Sequence, residues 1–289
     1  MPTTRTKPPT VRLRRLSAEL RRLRSAAGMS REHVEEQTGV NEGTLYRIET
    51  ARARPQRRTL IALLDLYGAS EPLRSDLLEL ARGADDQGWL RQYQSALPGE
   101  YSAYISFEAE ARSVRNYESL FIPGLLQTED YARAVITGVW PTATEAEVEQ
   151  LVQARLDRQQ LLSDDEPLEL WAVIDEAVVR RLVGGPKVMQ AQVAHLIEMA
   201  HQANVTVQVI PFGAGAHPGM PGSFVYMEFK DPADSDLVYI DTMAGDLFLE
   251  TEADLRRYGS MFDHLRATAL SPNESVSLIS ATAASLKGG

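Results

Sequence analysis

Residues 28–49 read GMSREHVEEQTGVNEGTLYRIE, and this stretch predicts two short helices separated by a tight turn. Ser30 is a favourable N-cap for the first helix, because its hydroxyl can accept a hydrogen bond from an open backbone amide. Gly39 supplies the permissive backbone that a sharp corner needs, and Asn41 is placed to cap the second helix. Two helices joined in this way form a helix-turn-helix unit.

The second helix of this unit has one apolar side and one polar side. Leu45 and Ile48 lie at helical spacing and point inward, and Val34 of the first helix points toward the same interior. The outward positions are Glu42, Gly43, Tyr46 and Arg47. A free polar face of this kind is what a helix-turn-helix unit places in the DNA major groove. The motif therefore predicts binding to double-stranded DNA.

Further amphipathic segments surround the motif. Four leucines at helical spacing predict a helix over residues 10–25 that can cover the helix pair. Residues 57–67 and 71–82 supply a fourth and a fifth helix. We therefore expect an all-α, five-helix DNA-binding domain over residues 10–83.

The five-helix pattern resembles the phage-repressor class of helix-turn-helix domains. The resemblance implies that Arg24 pairs with Glu49, which ends the recognition helix, and that the pair is structural and does not contact DNA. The class usually follows this glutamate with Asn-Gly, whereas this chain has Thr50-Ala51. A left-handed helix cap is costlier without glycine, so the departure affects the path of the basic loop that follows.

The resemblance also implies which positions of the recognition helix, residues 41–50, read DNA bases. They are the first two residues after the cap, Glu42 and Gly43, and Arg47 one turn later. Arg47 can donate two hydrogen bonds to the O6 and N7 atoms of guanine, worth ~1–3 kcal/mol of discrimination. Glu42 can accept from a cytosine amino group, although nearby phosphates repel it, and Gly43 permits close approach. Tyr46 is a further candidate that either contacts DNA or covers part of the helix pair.

Five residues are candidates for contacts with DNA phosphates, which set affinity and salt dependence but not sequence choice. Arg31 opens the first helix of the motif, where helix-end amides favour anions. Asn41 and Thr44 lie in the first turn of the recognition helix, and Arg52 and Arg54 lie just after its end. The alternative for each arginine is an exposed side chain that is only solvated.

The charge of the chain is divided unevenly along its length. Residues 1–60 hold 14 Lys and Arg against 6 Asp and Glu, a net of +8, whereas the whole chain carries −10, so the remainder carries −18. A basic module joined to an acidic body is expected where one part meets phosphate and the other does not.

Several classes of protein are disfavoured by composition. The chain has no cysteine, which excludes disulfides, thiolate metal sites and a cysteine nucleophile. No apolar run approaches the ~20 residues that span a membrane, and the first ten residues lack the apolar segment of a signal peptide. We expect a cytoplasmic protein, associated with the nucleoid when it is bound to DNA.

The rest of the chain predicts a junction over residues 84–99 and an α+β domain over residues 100–286. A short helix is expected from Trp89 to Leu97, and a longer one over 100–118. Later helices are expected after Thr128, over 144–162, after Gly184-Gly185-Pro186, and over 251–269 and 272–285. Strand-like runs lie at 168–174, 205–211, 223–229, 236–241 and 246–250. Short turns separate the last three runs, so they should pair as an antiparallel meander, in an antiparallel or mixed sheet. Overall the fold is mostly α with a small sheet.

Four long stretches of the second domain are similar to a known family. They read FIPGLLQTEDYAR from Phe121, WAVIDEAVVRRLVGGPKVM from Trp171, NVTVQVIPFGAGAHPGMPGSF from Asn204 and YIDTMAGDLFLE from Tyr239. They resemble the C-terminal domain of actinobacterial antitoxin-like (WhiJ-like) transcriptional regulators. The resemblance implies a transcription factor whose C-terminal domain binds a small protein encoded nearby, and it identifies no small-molecule ligand.

The sequence offers no pattern typical of catalysis. The five histidines form no metal-ligand cluster, and no phosphate-binding or nucleophile motif occurs. Asp241, Asp246 and Glu250 are close in sequence, but carboxylates at strand ends are usually turn and cap residues. We therefore expect no catalytic residue, no metal and no cofactor, and a protein that is not an enzyme.

The leading interpretation is a sequence-specific, DNA-binding transcriptional regulator that acts as a homodimer. Dimerisation is expected because one short helix reads few base pairs, and such proteins usually bind two half-sites ~34–36 Å apart. The first alternative is an antitoxin-like protein whose main role is to hold a small partner protein encoded nearby. The second alternative makes the C-terminal domain a ligand sensor or an enzyme.

Overall fold

The computed structural model describes residues 10–83, 93, 97, 99–230, 234–243 and 245–285. The described residues fall into two compact units. Residues 10–83, 99–107 and 234 belong to the first unit, and the others belong to the second. The short helix predicted from Trp89 to Leu97 and the rest of the predicted junction lie, except for single positions, outside the described residues.

Five helices build the body of the first unit, as predicted. They are α1 (Val11–Ala26), α2 (Arg31–Thr38), α3 (Glu42–Glu49), α4 (Arg57–Leu66) and α5 (Glu71–Gly83). Leucine side chains dominate a core that α1, α3, α4 and α5 share, and Val34 adds the contribution of α2. Burial of this apolar surface fixes the helices around α3.

Counted over the described residues, the second unit contains six α-helices and six strands, and one further helix, α6, is divided between the two units. The helices are α6 (Gly99–Glu110), whose first nine residues belong to the first unit, α7 (Glu129–Val139), α8 (Glu145–Arg158), α9 (Glu176–Arg180), α10 (Pro186–Met199), α11 (Glu252–Thr268) and α12 (Pro272–Ser285). The strands are β1 (Ala111–Glu118), β2 (Glu169–Asp175), β3 (Val205–Ile210), β4 (Phe224–Phe229), β5 (Leu237–Ile240) and β6 (Leu247–Leu249). The prediction of a mostly helical α+β chain is confirmed.

All six strands form one mixed sheet in the order β3-β2-β1-β4-β5-β6. The first three strands are parallel, and helices α7–α8 and α9–α10 make the two crossovers between them. Strand β4 pairs antiparallel with β1, and β5 and β6 continue as the predicted antiparallel meander. The carboxyl ends of β1, β2, β3 and β5 therefore lie at one edge of the sheet.

The prediction of a helix over residues 100–118 is wrong in its second half. Helix α6 ends at Glu110, and residues 111–118 form β1, a central strand that is buried along much of its length. The polar residues of β1 find partners across the sheet: Ser113 and Arg115 both donate to Glu228, and Asn116 donates to the carbonyl of Phe224. These partners are more than 100 residues away, so no local pattern reveals the strand.

Helix α11 packs against one face of the sheet. Phe262 and Leu265 of α11 are buried against Tyr117, Val173 and Phe224 from the three neighbouring strands β1, β2 and β4. The ring of Phe262 meets that of Phe224 edge-on at 6.5 Å. This packing fixes the sheet from which the edge loops emerge.

Candidate nucleic-acid interface

The turn between α2 and α3 is built as the sequence predicts. Ser30 caps α2 by accepting a hydrogen bond from the His33 amide at 3.1 Å. Gly39 ends α2 in the left-handed region, with φ 72°. Asn41 caps α3 and accepts from the Gly43 amide at 3.0 Å. Local sequence therefore fixes both helix ends at the corner.

Glu35 is a further residue of this corner that the sequence did not single out. Its carboxylate accepts from Asn41 Nδ2 at 3.1 Å and from the Glu42 backbone amide at 2.7 Å. A carboxylate at a helix N-terminus is stabilised by the helix dipole. The seven-residue spacing to Glu42 matches no capping box, so only the angle between the two helices brings these groups together.

The predicted reading positions lie together on the exposed face of α3. Leu45 and Ile48 are buried on the opposite side. The exposed side carries Glu42, Gly43, Tyr46 and Arg47. A Cβ atom at Gly43 would lie 3.2 Å from the Asn41 side-chain oxygen, so the lack of a side chain also leaves room for the cap.

Two guanidinium groups lie close to the ring of Tyr46. The guanidinium carbon of Arg31 is 5.2 Å from the centre of the Tyr46 ring, and that of Arg52 is 5.6 Å away. Both distances fall within the range of a cation–π interaction. Tyr46 is 41% exposed, so it contacts the two arginines and is still accessible to solvent. We call Arg31, Tyr46 and Arg52 the arginine–tyrosine cluster.

Arg47 and Thr44 are neighbours on α3. Arg47 donates from Nη2 to the Thr44 hydroxyl at 3.1 Å, one helical turn away. The Arg47 side chain is exposed, whereas Thr44 is half-buried. The Thr44 hydroxyl therefore positions Arg47, in addition to its predicted place among the phosphate contacts.

The structure brings Arg24 and Glu49 together and adds Arg31 as a third member. Arg24 donates from Nε to Glu49 Oε1 at 2.5 Å, and from Nη1 to the Met29 carbonyl at 2.7 Å. Arg31 donates from Nε to the other carboxylate oxygen of Glu49 at 2.8 Å. Glu49 is buried, and its hydrogen bond raises the pKa of Arg24. One carboxylate thus joins α1, α2 and α3.

The loop after α3 departs from the glycine-based cap, as the sequence indicated. Ala51 adopts φ 55°, and within the described residues it is the one non-glycine position with a positive φ. The amide of Arg52 then donates back to the Arg47 carbonyl at 2.7 Å. Arg54 donates from Nη2 to the Ala81 carbonyl in α5, so part of its guanidinium is held within the unit.

Across the described residues, no group of three or more His, Asp or Glu side chains has a geometry that could hold a metal ion. None of the helices in those residues combines the length and the apolar character needed to cross a bilayer.

Two known protein families match separate parts of the chain. Residues 15–77 match the helix-turn-helix domain family, which implies DNA binding. Residues 101–281 match a family described as a domain of unknown function, DUF5753. No curated protein and no solved structure matches the chain. Because the second match covers more than half of its length, the chain belongs to the DUF5753 family, and it carries a helix-turn-helix domain at its N-terminal end.

Proposed function

We propose that the protein is a sequence-specific transcriptional regulator that docks α3 in the major groove of its operator. The observation that carries the proposal is the exposed face of α3, on which Glu42, Tyr46 and Arg47 lie together. Arg47 reads guanine with two hydrogen bonds, and Glu42 accepts from the amino group of cytosine. The preferred half-site is therefore rich in G·C pairs.

The arginine–tyrosine cluster supplies phosphate contacts beside this face. Arg31 and Arg52 bring two positive charges to within 6 Å of the centre of the Tyr46 ring. Arg31 also bonds Glu49 through Nε, and its side chain stays partly exposed. Phosphate contacts position a protein on DNA and make its affinity fall with salt. Arg54, Asn41 and Thr44 contribute to DNA binding also by holding the loop, the helix cap and Arg47.

In this proposal the second unit has two roles, which are dimerisation and the binding of a partner. Residues 100–286 contain 12 Lys and Arg against 28 Asp and Glu, a net of −16, so this part of the chain repels DNA phosphates. Dimerisation would present two copies of α3 to half-sites ~34–36 Å apart. We assign the second unit no reaction, and we place the protein in the cytoplasm, bound to the nucleoid at its operators.

The test of base reading compares the wild type with Arg47→Ala on DNA from the region upstream of its own gene and on random DNA. The variant should lose ~1–3 kcal/mol of preference, which is about 5- to 150-fold, measured by fluorescence anisotropy at two salt concentrations. Arg21→Ala is the matched control, because Arg21 is an exposed arginine of the same unit on α1. It should keep the preference. If the Arg47 variant discriminates as well as the wild type, Arg47 does not read bases.

A second candidate is an antitoxin-like role of the WhiJ-like type, in which the protein mainly holds a small protein encoded nearby. The observation that favours it is the size and acidity of the second unit relative to the DNA-binding unit. Co-purification with the neighbour-encoded protein, together with DNA binding that moderate salt abolishes and that shows no sequence preference, would select this candidate over the first.

A further inference from the structure

The exposed apolar side chains of the second unit are concentrated at one edge of its sheet. Eight large apolar side chains of the second unit are exposed among the residues that the structure describes. Two of them, Val139 and Trp140, lie at the end of α7. The other six are Leu120, Leu182, Phe212, Met220, Met243 and Leu247. All six lie in, or directly at the end of, the connections that follow the carboxyl ends of β1, β2, β3 and β5.

Within the described residues these connections occupy 118–128, 175–185, 210–223, 240–243 and 245–247, and we call them the carboxyl edge. Phe212 is 58% exposed, Met220 67% and Met243 fully exposed. A soluble monomer rarely exposes several large apolar side chains side by side, and such patches usually mark sites of interaction. Scattered apolar residues would carry no such meaning.

Hydrogen bonds hold the connections of the carboxyl edge against one another. The amide of Ser119, after β1, donates to the Ser223 hydroxyl, before β4, at 3.1 Å. The amide of Phe212, after β3, donates to Glu176, after β2, at 2.7 Å. Hydrogen bonds to neighbouring connections therefore hold the loop that contains Phe212 and Met220 in place.

Close packing fixes the same loop over the end of β1. A Cβ atom at Gly219 would lie 2.4 Å from the ring of Tyr117, so the backbone of residue 219 rests directly on that ring. His217 lies with Nε2 3.5 Å from Asp175 Oδ2, at the end of β2. The apolar side chains therefore project from a surface that is ordered before binding, so that less conformational entropy is lost when a partner binds.

The charge of the carboxyl edge indicates the kind of partner that fits. Three carboxylates of the carboxyl edge are at least partly exposed, Asp175, Asp241 and Asp246, and two guanidinium groups are exposed, Arg180 and Arg181. Arg180 already pairs with Glu176. A second copy of the same negative edge would be repelled, whereas a basic surface would be attracted.

We propose that the carboxyl edge of the sheet is a docking surface for a protein partner that presents apolar side chains within a basic surface. The proposal deepens the partner-binding role proposed above and rests on it. Phe212 and Met220 insert among the apolar side chains of the partner, and the carboxylates around them face its lysines and arginines. Arrangements with an apolar centre and a complementary charged rim are usual in protein interfaces.

The test uses the full-length protein and a synthetic amphipathic helix of about 18 residues as the probe, with leucine on one face and lysine on the other. Binding is followed by fluorescence anisotropy of the labelled peptide. The wild type should bind it and should not bind a peptide in which every lysine is replaced by glutamate. The double variant Phe212→Ser/Met220→Ser should bind the lysine peptide at least about tenfold more weakly, because two apolar contacts are lost.

The matched control is Val139→Ser/Trp140→Ser, which removes two exposed apolar side chains of the same unit away from the carboxyl edge. It should bind the lysine peptide as the wild type does, and both double variants should melt at the wild-type temperature. Binding of upstream DNA should be the same in all three proteins. A failure of the docking proposal is thereby distinguished from a failure of DNA recognition.

Four results would overturn the proposal. They are no binding of the lysine peptide, equal binding of the glutamate peptide, no loss in the Phe212/Met220 variant, and equal loss in the Val139/Trp140 control. Sedimentation supplies a fifth: a dimer that dissociates on changing Phe212 and Met220 would show that a second copy of the chain covers the edge.

Discussion

Ala51 lowers the local stability of the helix-turn-helix unit, because it adopts a backbone conformation that is unfavourable for alanine. A residue with a Cβ atom pays roughly 1–2 kcal/mol in the left-handed region. Ala51 nevertheless adopts φ 55° there, and the amides of the two following residues close on the Arg47 carbonyl. The surrounding hydrogen bonds therefore hold Ala51 in a conformation that glycine would adopt without strain.

We predict that Ala51→Gly stabilises the first unit. The strain energy that is relieved is larger than the free-energy cost of ordering the more flexible glycine backbone on folding. The free energy of unfolding should therefore rise by about 0.5–1 kcal/mol. The measurement is the melting temperature of the first unit by circular dichroism. Ala53→Gly is the control, since Ala53 lies two residues on without a positive φ and should lose stability instead. Equal effects of the two substitutions would show that Ala51 stores no strain.

Prediction from sequence succeeded for side chains whose role depends on near neighbours. The caps at Ser30 and Asn41 and the exposed side of α3 follow from spacing within one or two helical turns. Local spacing does not reveal Glu35, because its contact with Glu42 depends on the angle between two helices. The position of Arg31 at a helix start predicts a phosphate contact, whereas its bond to Glu49 spans 18 residues and cannot be predicted from local spacing.

The orientation of α3 depends on the buried carboxylate of Glu49. The two arginines that bind it come from the end of α1 and the start of α2. A buried carboxylate that loses a partner is left poorly solvated, and breaking such a pair is strongly destabilising. The three side chains therefore fix the angle at which α3 meets its neighbours.

We predict that Arg24→Ala destabilises the first unit by about 2–4 kcal/mol, somewhat less than a wholly unpaired charge, because Arg31 remains. Thermal melting of the first unit measures the loss. The control is Arg22→Ala, which removes an arginine of the same helix whose partner, Glu19, is solvent-accessible. The control should melt at the wild-type temperature. Wild-type melting of the Arg24 variant would show that Glu49 needs no second partner.

Strand β1 shows where prediction of whole elements fails. The meander of β4 to β6 was predictable, because apolar runs alternate with short turns. In β1 the sequence ARSVRNYE mixes arginine, serine and asparagine with apolar residues and shows no clean alternation. The strand is nonetheless central, since Glu228 and the Phe224 carbonyl satisfy its polar groups from a strand distant in sequence.

Net charge distinguishes the two ends of the chain. The first sixty residues carry +8 and residues 100–286 carry −16, so long-range attraction to DNA acts on the first unit alone. The acidic carboxyl edge also includes a carboxylate at the end of β1, Glu118. The residue as a whole is partly exposed, but its carboxyl group is buried. This burial, together with the negative charge of Asp241, raises the pKa of Glu118 to about 7. Hydrogen bonds with Ser223 and Asn116 and the positive charge of Arg155 act in the opposite direction.

This raised pKa predicts how the stability of the second unit depends on pH. The folded protein binds the Glu118 proton more tightly than the unfolded chain, in which the pKa of Glu118 is near the ordinary 4.5. Protonated Glu118 therefore contributes its full share of the free energy of unfolding below about pH 4.5, and this share is lost as pH rises through about 7. Glu118→Gln stays neutral throughout. It should match the wild type at pH 4.5 and exceed its free energy of unfolding at pH 8 by roughly 1–3 kcal/mol. Urea unfolding at both pH values measures the difference, and Glu169→Gln, at an exposed carboxylate of β2, serves as the control. If the two variants gain equally, overall negative charge and not the burial of Glu118 sets the pH dependence.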